Sequence, residues 1–301
     1  MFKRFGLFIL TNIAIIAVIT LVIFIVEKVF GIEITWGLWA SYVQILIYSA
    51  IVGFSGAFIS LFISRWMAKK AHWITPITID QISELSKKEL IVWNTVQELA
   101  EINNIKMPEV GIYEDSEPNA FATGASKNSS LVAVSSGLLD IMDEDAIEWV
   151  VGHEMAHILN WDMVTMTLLQ WVVNTFVIFA ARIVANIFDD FTDWKFWAWG
   201  YMWINILLQI LFWVLASLIT SKFSRYREFR ADEGSAIYVW KEKMIAWLKA
   251  LQQMQPAMIE TEDKNLASMK ISSKKSNWFM QLFSTHPDLE DRIKALEELS
   301  L

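Results

Sequence analysis

The chain has 301 residues, of which 55% are hydrophobic and only 19% charged, and its net charge is −8. Soluble domains carry about a quarter charged residues, so this composition, with a mean hydropathy of +0.38, points away from a soluble domain and towards a membrane protein. The acidic balance, without a basic stripe interleaved with aromatics, argues against a nucleic-acid partner, and the absence of cysteine rules out disulfides, thiolate metal ligands and a cysteine nucleophile.

Four apolar runs, at 5–26, 38–63, 163–188 and 196–220, each reach the roughly 20 residues that a helix needs to cross a bilayer. The first follows Lys3 and Arg4; it is too long for a signal-peptide core and no cleavage site follows, so it reads as an uncleaved anchor. The second carries small residues four apart, Ser49, Gly53 and Ala57, then Gly56, Ser60 and Ser64, a spacing that lets helices approach closely. Packing against the first span is preferred here to a dimer seam, and nothing else in the sequence supports a homo-oligomer. The third run holds Gln170, Asn174 and Arg182, which must face protein or water rather than lipid. Many of the 16 tryptophans cluster at the ends of these runs, where amphipathic rings favour the interface with the lipid bilayer. Basic residues flank the runs asymmetrically. Lys3 and Arg4, then Arg65, Lys69 and Lys70, then Lys222, Arg225, Arg227 and Arg230 lie on one side, which the positive-inside rule makes the cytoplasm for both termini and for 65–162.

Between and after the runs the pattern is mixed α and β. Ser86 with Glu89 forms a capping box, which predicts a helix from there to about Asn103. Val110–Tyr113, Asn119–Gly124 and Leu131–Ser135 read as short strands, the last two joined by a polar turn at 126–129. Asp143 is placed to cap the next helix, and the polar stretch 260–276 reads as a loop.

That next helix carries His153-Glu154-Met155-Ala156-His157, which uses two of only four histidines in the chain. Histidines four apart share one helical face and can reach one metal ion, while Glu154 between them can serve as a base towards a polarised water. This is the chemistry of zinc peptidases: the ion lowers the pKa of its water to about 7, and a carboxylate moves the proton to the leaving amine. Catalytic zinc sites use three protein ligands, and with so few histidines a carboxylate from a later helix is the natural third. Glu228 and Asp232 lie four apart in 225–232; one can bind the ion while the other orients a ligand. The same segment also reads as an amphipathic helix whose acids pair with Arg225, Arg227 and Arg230. The two runs between His157 and Glu228 make an even number of crossings, so both segments face the same side.

Several segments together resemble the HtpX-type integral-membrane zinc metalloproteases, bacterial relatives of the CAAX prenyl endopeptidases: 7–12, 119–124, 131–135, the histidine motif extended to Asn160 and Asp162, 174–179, Arg227-Glu228-Phe229 with Ala231-Asp232, and Thr285-His286-Pro287. The resemblance implies an α-helical membrane protein with an α+β zincin-like metalloprotease domain, four transmembrane helices, a small β-sheet and the HExxH active-site helix. It divides the chain into an anchor hairpin at 1–64, a cytoplasmic catalytic domain built from 65–162 and 222–301, and a second hairpin at 163–221. It implies one Zn2+ per chain on His153, His157 and Glu228, with Glu154 catalytic. It sets Asp232 behind the ligands, brings His286 near the site towards substrate or oxyanion with Arg292 in support, and makes Asn119, Ala120, Phe121 and Ala122 an edge strand that pairs with extended substrate. Asp288, Arg230 and Trp161 depart from the family pattern. Trp161 stands where a small residue is usual, which bears on groove shape rather than on any ligand. The implied role is quality control in the bacterial plasma (inner) membrane, cleaving misfolded or damaged membrane proteins on the cytoplasmic side. CAAX-type processing and a non-catalytic zinc-binding scaffold are the competing expectations. The first suits chains with more spans, and the second gives Glu154 no purpose.

Overall fold

The computed structural model describes residues 21, 24–25, 28–29, 42–192, 198–239, 241–242, 244–245, 248–249 and 287–299. Most of the first apolar run, the stretch 260–276 and His286 lie outside them. In chain order the principal elements are α1 (Tyr42–Ala71), β1 (Thr75–Pro76), a 3-10 turn (Ile79–Glu84), α2 (Lys87–Ile102), β2 (Glu109–Tyr113), β3 (Ala120–Ser126), β4 (Ser129–Ser135), α3 (Ser136–Ile141), α4 (Glu144–Leu159), α5 (Asp162–Thr192), α6 (Ala198–Val239) and α7 (Leu289–Glu298). Among the described residues three helices are long and apolar enough to cross a membrane: Tyr42–Ala71, Asp162–Phe188 and Trp199–Ile237. Two of them outrun the apolar stretches that announce them. Hydropathy marks where a helix can meet lipid, not where its backbone hydrogen bonding ends. Thus α1 continues to Ala71, with Arg65 and Lys69 reaching Glu109 at 3.2 and 2.9 Å, and α6 continues past 220 to Val239.

The chain divides into two units, Met1–Leu61 with Met166–Thr220, and Phe62–Thr165 with Ser221–Leu301. In the first, Ser49, Gly53 and Ala57 are buried on α1. A Cβ at Gly53 would stand 2.7 Å from Thr175 Oγ1 and 3.0 Å from the Thr175 amide nitrogen, and Trp171 Nε1 donates to the Ala50 carbonyl at 3.2 Å. The expected close approach is therefore real, and among the described residues the partner of Gly53 is α5; most of the first span, expected in that role, lies outside them. A Cβ at Gly56 would meet nothing within 4 Å among the described residues. The polar groups of the third run find partners as lipid demands: Gln170 donates to Asn174 at 3.0 Å, and the Arg182 guanidinium lies 4.5 Å from the centre of the Tyr48 ring.

In the second unit the sheet order is β1-β2-β4-β3, with β2 and β4 parallel and β3 antiparallel to β4. The β3–β4 hairpin turns at Lys127-Asn128 through a bulge at Gly124, whose φ of 147° and whose distance of 2.2 Å from a built Cβ to the Ser129 carbonyl oxygen admit only glycine. Ser86 caps α2 and Asp143 caps α4, the latter accepting from the Ala146 amide at 2.8 Å, as their spacing predicts. The helices α2 and α4 cover the sheet through Val92, Val96, Leu99, Val132, Val134, Ile147, Val151 and Ile158, all at most 3% exposed. Two elements had no clear signal. β1 is two residues long and contains a proline, and α3 is a short helix capped by Ser135 directly off β4. The order leaves β3 at the edge of the sheet.

Candidate metal centre

The site begins on α4. Trp149, His153 and His157 follow at four-residue steps along one face, with the two histidine rings 4.7 Å apart and nearly perpendicular. The helix closes at Asn160, and Trp161 then takes a left-handed conformation, φ 60°. That single residue lets α5 start at once on a new axis and returns Asp162 to the histidine face. Asp162 Oδ2 lies 2.6 Å from His157 Nδ1.

The second contribution comes from α6. A Cβ at Gly234 would lie 3.0 Å from Ala156 Cβ, so α6 passes against α4 where any larger residue would hold them apart. Ser235 Oγ also donates to the Trp149 carbonyl at 3.3 Å. One turn and two turns back from this contact stand Asp232 and Glu228, 1% and 3% exposed. Glu228 Oε2 is 3.5 Å from His153 Nε2, and its Oε1 is 3.6 Å from His157 Nε2. Asp232 Oδ1 is 3.0 Å from His153 Nδ1. Each histidine thus turns Nε2 inwards and Nδ1 onto an aspartate, an orientation that fixes the ring and its tautomer in metal sites.

His153, His157 and Glu228 each offer one ligand atom, all within 4.8 Å of one another. Ligands about 2.1 Å from a tetrahedral ion are separated by about 3.4 Å along each edge of the tetrahedron. The nitrogen-to-oxygen distances of 3.5 and 3.6 Å, each to a different oxygen of Glu228, are close to that edge, so the three side chains are placed to hold one ion. Burial opposes a charged His153, but contacts with Asp232 and Glu228 outweigh it and hold its pKa up at about 10 in the metal-free protein. A proton and a metal ion compete for the same nitrogen. Behind the cluster, Arg292 of α7 is 3% exposed and donates twice to Asp232, from Nε at 2.6 Å and Nη2 at 2.5 Å. Burial opposes its charge too, and Asp232 more than compensates.

The cluster opens on a cavity of about 450 Å³. The cavity is lined by Asn119 and by Ala120, Phe121 and Ala122 of β3, by the apolar side chains of Leu138, Met142, Trp149, Val150 and Met163, and by the polar ones of His153, Glu154, His157, Asp162, Arg227, Glu228 and Arg292. Glu154 is half-buried there. All the site residues expected from the sequence therefore meet at one cavity or directly behind it, except His286, which lies outside the described residues. Arg292, expected to support His286, has its hydrogen bonds on Asp232. Asp162 and Arg227 lie in segments that carry the family resemblance but were given no site role. Asp162 stands five residues beyond His157, past the helix end, where a helical spacing rule cannot find it. Arg227 stands beside Glu228 among other arginines and reads as membrane-flanking charge.

Residues 86–300 match peptidase family M48. The chain is 46% identical over 297 residues to the protease HtpX of Idiomarina loihiensis, covering 98% of this chain and 99% of that one. It is 45% identical over 300 residues to an HtpX homologue of Bacillus subtilis strain 168, covering 99% of each. Among solved structures it resembles the crystal structure of Ste24p from S. mikatae, with a TM-score of 0.61 at 18% identity, covering 99% of this chain and 67% of that one; at that identity the likeness speaks for the fold. With a three-ligand metal group, apolar helices of membrane-spanning length and near full-length identity to HtpX proteases on the page, the chain belongs to peptidase family M48, as an HtpX-type integral-membrane metalloprotease acting on protein substrates.

Proposed function

We propose that this chain is a zinc endopeptidase of the bacterial inner membrane, and that it hydrolyses peptide bonds of misfolded or damaged membrane proteins on the cytoplasmic side. The observation that carries the reading is the convergence of His153, His157 and Glu228 on one ion-sized space, with Glu154 on the same cavity. The donor set of two imidazoles and a carboxylate, open on one side, is that of catalytic zinc rather than structural zinc. Bound there, the ion supplies Lewis acidity, bringing the pKa of a water to about 7 and polarising the scissile carbonyl.

The remaining work falls to the chain. Glu154 takes the proton of the attacking water and delivers it to the leaving nitrogen. Asp162 and Asp232 hold the two imidazoles in the ligating tautomer, and Arg292 holds Asp232. The edge of β3 not occupied by β4 offers backbone groups to an extended substrate at Asn119–Ala122. That register carries the substrate past Glu154, and it favours a segment that is unfolded over one already in a helix. The catalytic domain is assigned to 65–162 with 222–301, and the hairpins to 1–64 and 163–221. The basic flanks at Arg65, Lys69, Lys222 and Arg225 favour a cytoplasmic site and cytoplasmic termini.

The test is to purify the protein with chelator, restore zinc and offer unfolded casein. Wild type should cleave, and Glu154→Gln should keep its zinc and not cleave. Equal activity in the two would reject the mechanism. A reporter fused after Leu301 should be found inside the cell; an external one would reject the orientation.

A further inference from the structure

We infer that Arg227 is a further catalytic residue of this site, a group that shares, beside the ion, the negative charge formed on the carbonyl oxygen of the substrate; the inference rests on the proteolytic reading above. Arg227 lines the cavity, and its Nη2 is 3.6 Å from Glu228 Oε1, the oxygen that also lies 3.6 Å from His157 Nε2. The guanidinium therefore borders both the metal ligands and the cavity. Its Nε is buried without a hydrogen-bond partner, and its ion pair with Glu228 is longer than a direct hydrogen bond.

Among the described residues the other charged donors lining the cavity face carboxylates, and the unpartnered Trp149 Nε1 beside them is neutral. Arg292 is bound twice to Asp232. His153 and His157 direct Nδ1 to Asp232 and Asp162, and Nε2 towards Glu228. A largely buried cation with an unmet donor is costly in a resting site, and the cost is recovered where an anion appears only as the reaction proceeds. That anion forms when the water oxygen bonds to the carbonyl carbon and the π pair of C=O moves onto oxygen, while Glu154 takes the water proton. The pair then returns, C–N breaks, and nitrogen leaves with the proton from Glu154, giving an acid and an amine. Arg227 meets the oxygen in the interval between these two events. A lysine there would supply charge without the planar fork.

The test compares Arg227→Gln and Arg227→Lys with wild type by zinc stoichiometry, by kcat and KM on a fluorogenic peptide, and by the affinity of a phosphinic peptide, whose tetrahedral anion imitates the intermediate. Arg227→Gln should keep its zinc and its KM within about twofold, lose roughly 10²–10³-fold in kcat, and weaken the phosphinic peptide by a similar factor. The same substitution made in Glu154→Gln should leave the affinity for the uncleaved amide unchanged. Arg227→Lys should recover part of both losses. An unchanged kcat, a rise confined to KM, or loss of zinc from both variants would overturn the proposal. A zinc-loaded wild type that cleaves nothing would overturn the proteolytic reading itself, and this assignment with it.

Discussion

Replacing Arg292 with methionine should be among the most damaging single changes outside the metal ligands. The Arg292 and Asp232 side chains are 3% and 1% exposed as residues, and they share two hydrogen bonds of 2.6 and 2.5 Å. Methionine keeps most of the aliphatic volume, so the packing of α7 through Ile293 and Leu296 is largely retained, and what is lost is the counter-charge. A buried carboxylate stripped of its fixed cation costs about 3–5 kcal/mol, and Asp232 keeps the His153 Nδ1 contact at 3.0 Å. For a domain of this size each kcal/mol lowers Tm by roughly 2–4 °C, so Arg292→Met should lose on the order of 6–20 °C in detergent. Asp232→Asn combined with Arg292→Met removes both charges and should recover much of that loss, because an uncharged pair carries no desolvation debt. The assay is a thermal melt of the four proteins of this double-mutant cycle, with zinc present at the same excess. A loss below about 2 °C for Arg292→Met, or a double variant no better than the single one, would refute the claim that α7 is held on α6 by a desolvated ion pair.

Other outcomes follow from the same geometry. Asp162→Ala leaves His157 Nδ1 without its acceptor and should weaken zinc binding by roughly 10–100-fold, read by competition with a chelating dye; unchanged affinity would remove Asp162 from the site. Trp161 sits at φ 60°, so Trp161→Gly should retain zinc and activity, while β-branched Trp161→Val should lower stability by roughly 1–3 kcal/mol in a melt. The metal-free protein should show a pH effect of defined sign. His153 has a folded pKa of about 10 against an ordinary 6.5, so its contribution to metal-free stability is complete below about 6.5 and is lost as pH rises through about 10. Zinc must displace that proton, so zinc affinity should climb from pH 7 to pH 9 by up to about tenfold per unit; a flat profile would contradict a proton held on His153.

The elements set by local chemistry were legible in the sequence. Ser86 with Glu89 and Asp143 mark helix starts through their own side-chain hydrogen bonds, and His153, Glu154 and His157 declare a common face by spacing alone. Glu228 and Asp232 could be proposed as a pair four apart, but only tertiary packing distinguishes a ligand from a surface acid, and that packing depends on the approach of Gly234 to Ala156. The same holds for the edge position of β3. A strand's sequence does not say which neighbour it lacks, and β2 pairs with β4 across the intervening β3. Asp162 was obscured for a different reason: it reaches His157 through the left-handed turn at Trp161, a conformation that the tryptophan itself does not advertise. Hydropathy gave the spans at 163–188 and 196–220 but not the length of the helices that contain them, because α6 carries its polar continuation without a break.

Metal analysis of wild type beside Glu228→Ala bears most directly on the centre described here, with helical content checked in both. Wild type should hold one zinc ion per chain, and the variant, still folded, should hold far less at the same free zinc. Full zinc occupancy in folded Glu228→Ala would contradict an ion shared by His153, His157 and Glu228.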